Sequence, residues 1–195
     1  MPGSGPALLI TFNKTLATYL RFLGGDLLGR ITVENYHKFA RGYLASQGAM
    51  NGSSIVASSQ RRALIKAAIE EARARRGANQ LFDRPLEFFA EEIRWIAGHG
   101  LQSDAEYVAT ARTGRGEARL ERSQRGAMWE VYQAYLTKIS ASGRKYDLDN
   151  LATHVADCFD RDGSERRYRH VVIDEGQDLS PEMLRSLSKA VPPSG

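Results

Sequence analysis

The stretch "HVVIDEGQDLSPEM", residues 170–183, sets three apolar β-branched residues, Val171, Val172 and Ile173, directly before Asp174, Glu175, Gln177 and Asp178. An apolar run of this kind reads as a strand of a parallel sheet, buried on both faces. Ligands of open α/β sheets sit at the carboxyl ends of the strands, and Asp174 is the first residue past that end. A carboxylate there can hold a Mg²⁺ that bridges nucleotide phosphates. The adjacent Glu175 points differently and can orient or deprotonate an attacking water. Gln177 and Asp178 lie one short turn further on, able to sense whether a γ-phosphate is present. Ser180 with Pro181 and Glu182 then opens a helix in capping fashion. A plainer reading stands beside this one: an apolar strand followed by Asp-Glu is common in α/β proteins, as a loop or a helix cap.

Either reading needs a sheet for that strand to join. "ALLIT" (7–11) is a short apolar run that reads as a buried strand. In "NKTLATYLRFLGG", Leu16, Tyr19, Leu20 and Leu23 recur at helical spacing, with Asn13 as N-cap and Gly24-Gly25 as stop. Residues 31–33 read as a second strand passing into a helix from about Tyr36. From 57 to 161 only helical periods occur. "SSQRRALIKAAIEEARARRG" has serine caps and a stripe of Leu64, Ile65, Ala68, Ile69 and Ala72, with Gly77 as stop. "DRPLEFFAEEIRWIAGHG" has Asp83 as cap, Pro85 in its first turn and Leu86, Phe89, Ile93 and Ile96 inward. "AMWEVYQAYLTKISASG" turns Met128, Val131, Tyr132, Tyr135, Leu136 and Ile139 to one side, and "DNLATHVADCFD" does the same with Leu151, Val155 and Phe159. The strand signal returns only at 168–173. The expected organisation is therefore one parallel α/β sheet interrupted by a helical insertion, divided as 1–50, 51–150 and 151–195.

Composition narrows the class. The 195 residues are 42% hydrophobic and 26% charged, the make-up of a globular chain with a real core. No apolar run approaches the roughly 18 residues of a membrane span, and "MPGSGPALLITF" lacks the features of a secretory signal. A single cysteine, Cys158, excludes an internal disulfide and a cysteine-rich zinc site. His99, His154 and His170 have no partner at metal-ligand spacing. The expected location is cytoplasmic. A net charge of +4, carried mostly by arginine, leans toward a polyanionic partner.

With "GQD" attached to "VVIDE", the pattern D-E-x-Q-D resembles motif II, the Walker B element, of superfamily 1 helicases of the UvrD/Rep type. Other segments resemble that family in the same order. "LLITFNKTLATYL" is similar to its motif Ia, "ITVENYHKFA" to its T-F-H-S-type element and "YDLDNLATHV" to its D-F-D-D-L segment. The resemblance spans essentially the whole chain and implies a partial RecA-like parallel sheet of the P-loop NTPase type with an all-helical insertion subdomain. It implies ATP and Mg²⁺ as cofactors, with Asp174 holding the metal, Glu175 and Gln177 catalytic, and Asp174 and Asp178 at the nucleotide. It implies DNA as partner. Thr11, Phe12, Asn13 and Lys14, with Tyr36 and His37, would contact the single strand, Phe12 by stacking and Lys14 through phosphate.

The insertion of such helicases touches duplex DNA, which makes Arg112, Arg115 and Arg119 candidate contacts. They lie in "RTGRGEARLERSQR" with Arg122 and Arg125, although a charge run is also how a merely solvated face looks. Two departures stand out: Asn35 where the family has threonine and Asn150 where it has aspartate. No G-x-x-x-x-G-K-[ST] loop, which supplies the amides and lysine that hold β- and γ-phosphates, occurs in these residues. The expectation is a piece of a 3′→5′ helicase motor, inactive alone, whose further partners are the phosphate-loop segment and the second motor domain. The alternatives are a truncated, non-catalytic DNA-binding module and an unrelated metal-dependent hydrolase using Asp174, Glu175 and Asp178.

Overall fold

A computed structural model describes residues 5–11, 14–24, 30–113 and 119–193, without the side chains of Lys14 and Leu23. The chain divides into two compact units, Met1–Asn51 with Leu151–Gly195, and Gly52–Asn150. The first is mixed α/β and the second is helical.

In the first unit, β1 (Ala7–Thr11) leads into α1 (Lys14–Gly24), and β2 (Ile31–Asn35) runs directly into α2 (Tyr36–Ser46). β1 is a short apolar stretch, whereas β2 buries Val33 and leaves Ile31 40% exposed. Leu8 and Ile10 of β1 are fully buried, each contributing about 1.5–3 kcal/mol by leaving water. Helix α1 differs from expectation: Ala17 is its buried residue, Leu16 and Leu20 are half-buried, and Tyr19 is 56% exposed. The Asn13 cap and Gly25 lie outside the described residues.

In the second unit, α3 (Ser58–Arg76), α4 (Leu86–Gly98), α5 (Asp104–Ala109) and α6 (Arg122–Ala141) enclose one apolar cluster. Ile65, Ala68 and Ile69 of α3, Phe89, Ile93 and Ile96 of α4, and Met128, Val131 and Tyr135 of α6 fill it. Gly77 stops α3 at φ 77° with its N–H on the Arg73 carbonyl, a left-handed position that glycine occupies without strain. Two expected caps are corrected. Ser58 and Ser59 lie inside the first turn of α3, which starts after Ala57. Asp83 ends a separate 3₁₀ turn, Gln80–Asp83, and Pro85 holds the N-cap position of α4. A single parallel bridge, Ile55 to Tyr146, appears where no strand signal was read.

The chain re-enters the first unit with α7 (Leu151–Arg161), β3 (His170–Ile173) and α8 (Pro181–Ser188). Leu151, Val155 and Phe159 of α7 are buried as their spacing requires, and the Phe159 ring stacks on Tyr43 of α2 at 3.9 Å. The sheet order is β2-β1-β3, all parallel. The fold is thus α/β, a partial RecA-like sheet. β3 departs from the expected two-sided burial: Val172 is 54% exposed. Among the described residues β3 pairs with β1 alone, so it is an edge strand whose apolar face is only partly covered. No helix among the described residues is long and apolar enough to cross a membrane.

Candidate functional site

The strand register decides which residues share an edge. Thr11 pairs with Asn35, and Ile10 pairs with Ile173. The Asp174 N–H then donates to the Ile10 carbonyl at 2.9 Å, extending the ladder by one bond. All three strands point the same way, so their carboxyl ends open onto one edge. Thr11 at the end of β1, the start of α2 and the acids after β3 stand side by side there, with neighbouring strands about 4.8 Å apart. Sheets of this type bind ligands at that edge.

Asp174 is half-buried, and its Oδ2 is a buried atom that accepts no hydrogen bond among the described residues. A buried carboxylate oxygen without a donor is costly unless a cation or ordered solvent meets it. Among the described residues no group of three or more His, Cys, Asp or Glu side chains gathers to hold a metal. A cation at Asp174 would therefore keep most of its ligands as water and phosphate oxygen, which suits Mg²⁺.

Glu175 has φ 52° and ψ 50° and is the non-glycine residue with positive φ among the described residues. Such a conformation costs on the order of 1–2 kcal/mol for a residue with a Cβ, and strain of this kind concentrates at functional sites. The Glu175 side chain is exposed, and Gln177 Nε2 donates to Glu175 Oε2. The 3₁₀ turn Gly176–Asp178 follows, with the Asp178 N–H on the Glu175 carbonyl at 2.9 Å, leaving Gln177 and Asp178 exposed. Ser180 caps α8 by accepting from the Met183 N–H at 3.2 Å, with Pro181 as first residue, as its sequence requires.

The residues expected to grip a single strand divide. Phe12 and Asn13 lie outside the described residues, as does the Lys14 side chain. His37 is half-buried in the first turn of α2. Thr11 is only 1% exposed, enclosed at the end of the middle strand, and anchors the edge rather than presenting surface. Tyr36 is corrected outright as a DNA contact: it is 1% exposed, and its hydroxyl lies 2.7 Å from Ser186 Oγ. Asn35, one of the departures, keeps a local role by accepting from the Lys38 N–H at 3.0 Å as N-cap of α2. Asn150, the other, accepts from the Asp147 N–H at 3.0 Å and is buried.

The arginine run belongs to the second unit and divides too. Arg112 is a correction. It forms a two-pronged ion pair with Glu92, Nε to Oε1 at 2.9 Å and Nη2 to Oε2 at 2.6 Å, with 7% of its side chain exposed and none of Glu92's. Tyr107 also donates to Glu92 Oε1, at 2.5 Å. Arg125 is buried as well, donating to the carbonyls of Tyr107, Val108 and Thr110 and so closing the end of α5. Arg119 and Arg122 are exposed, and Arg115 lies outside the described residues. Glu92 was missed from the sequence, although one signal existed: it falls on the inward stripe of α4 between Phe89 and Ile93. An acid on such a stripe calls for a buried cationic partner.

A partial RecA-like parallel sheet with strand-end acids at its carboxyl edge defines the fold as α/β. The UvrD/REP helicase N-terminal domain model matches residues 7–192, and the chain belongs to that family. It is 33% identical over 105 residues to proteins named "ATP-dependent DNA helicase UvrD2" from Mycobacterium bovis and from two strains of Mycobacterium tuberculosis. Each match covers 51% of this chain and 15% of the relative's length.

Proposed function

We propose that this chain is part of the first motor domain of an ATP-dependent DNA helicase. The complete motor would hydrolyse ATP to move 3′→5′ along single-stranded DNA and unwind duplex. The observation that carries the reading is the shared carboxyl edge, where the acids that begin at Asp174 follow β3 beside the Thr11 end of β1. Asp174 would hold Mg²⁺ through the oxygen that has no hydrogen-bond donor, the metal supplying charge neutralisation on the β- and γ-phosphates. Glu175 would orient water and take its proton, steadied by Gln177. Asp178 would sense the phosphate end of the nucleotide. Phe12, Asn13, Lys14 and His37 would contact the single strand, and Arg119 with Arg115 the duplex. The helical unit would be the family's insertion subdomain within a domain formed by the flanking segments. A G-x-x-x-x-G-K-[ST] loop and a second motor domain would complete the site.

ATP turnover separates this reading from a DNA-binding module without catalysis. The 195-residue chain alone should show no turnover stimulated by single-stranded DNA. A polypeptide joining it to a phosphate-loop segment and a second motor domain of the family should show it. Stimulated turnover by the chain alone would contradict the account. DNA binding without turnover in the joined protein would favour the module.

A further inference from the structure

Helix α2 begins on the edge assigned to the single strand, and α8 begins directly after the acids. Tyr36, first residue of α2, and Ser186 of α8 are 150 residues apart in sequence and joined by a buried hydrogen bond of 2.7 Å. Tyr36 is 1% exposed and Ser186 fully buried. The direction of this bond follows from chemistry. Ser186 Oγ also lies 2.8 Å from the Met183 carbonyl, which can only accept. A serine hydroxyl carries one proton; with that proton on Met183, the Tyr36 O–H donates to Ser186. Burial pushes the Tyr36 hydroxyl's pKa up, so it remains a donor at neutral pH. The Met183 N–H is in turn held by Ser180 Oγ, two residues past Asp178. On the other side Tyr36 is flanked by the cap Asn35, in register with Thr11, and by His37.

We propose that Tyr36 is a positioning residue: its hydrogen bond to Ser186 ties α8, and with it the acidic turn 174–178, to the first turn of α2. A strand of DNA that shifts that turn would be felt at the acids without touching them. The inference rests on the reading of the edge as a DNA and nucleotide site. It gives the tyrosine hydroxyl a task that a phenylalanine at this position could not perform.

Amide hydrogen exchange on the 195-residue chain tests it, using Tyr36→Phe and Ser186→Ala. Without ligand, Tyr36→Phe should speed exchange at Leu184–Ser188 about fivefold, the factor that one hydrogen bond of about 1 kcal/mol represents. Ser186→Ala should do the same at Lys38–Ala40, and both should spare Leu8–Ile10. A uniform rise over the whole first unit, or none in α8, would overturn the link. In the second arm a 20-nucleotide oligo(dT) is added. It should slow exchange over 174–188 in the wild type. Tyr36→Phe should bind the oligonucleotide within twofold as tightly yet lose that slowing. Retention of the slowing would reduce the bond to packing and overturn the proposal. Should the wild type fail to bind oligo(dT), the DNA reading falls while the first arm still judges the link.

Discussion

Glu175 occupies the left-handed region although a glycine stands next to it, at Gly176. Replacing Glu175 by glycine or by alanine removes the same carboxylate and differs only in the backbone. Glu175→Gly should be more stable than Glu175→Ala by about 1 kcal/mol in urea denaturation. Equal stability would mean the conformation relaxes and stores no strain. Asp174 makes a second prediction at this scale. Mg²⁺ at ten times its dissociation constant should stabilise the wild type by about 1.4 kcal/mol, seen as a raised thermal midpoint, and Asp174→Asn should lose that gain. An equal shift in both would move the cation elsewhere. The order of Asp174 and Glu175 behind an apolar run was legible in the sequence, because strand ends and ligand edges coincide in this fold. The left-handed turn was not, since Glu-Gly names the glycine as the natural place for it. Nor was the loss of Tyr36 to the interior, because its partner Ser186 is distant in the chain.

At the scale of elements, the long helices were legible because α3, α4 and α6 each repeat apolar residues over three or more turns. α5 was not, being six residues long, less than two periods. The burial of Arg112 was not legible for a related reason: the partner that takes it inward stands 20 residues upstream, on α4. Removing Arg112 strands Glu92 with a buried charge. Arg112→Met should destabilise the helical unit by about 3–5 kcal/mol, and a double replacement with Glu92→Met should recover much of it; chemical denaturation of the three variants decides. In the first unit, Asp162 accepts from the Ser164 N–H at 2.9 Å and from the Tyr43 hydroxyl at 2.9 Å. These bonds, Ser164's first, hold its carboxyl below the usual carboxylate range. A depressed carboxyl binds its proton more weakly folded than unfolded. Its contribution is therefore present above the ordinary value of 3.8 and lost as pH falls through the folded one. Asp162→Asn should abolish that part of the acid-induced loss of stability, measured as thermal midpoints from pH 5 down to pH 2.

For the molecule as a whole, the sheet was readable from three short strand-like segments, but its order was not: nothing in 7–11, 31–35 or 170–173 says that β1 takes the middle. Nor does the run at 171–173 say that its strand lies at an edge with Val172 open. That order matters because it sets the acids that follow β3 beside Thr11 at the end of β1. In the proposed reaction Glu175 is the residue on which the chemistry would turn. The deciding measurement is steady-state ATP hydrolysis, stimulated by single-stranded DNA, of the joined polypeptide and of its Glu175→Gln variant. Turnover should fall by about 100-fold or more, with affinity for the strand retained. A variant that hydrolyses ATP as fast as its parent would contradict the account.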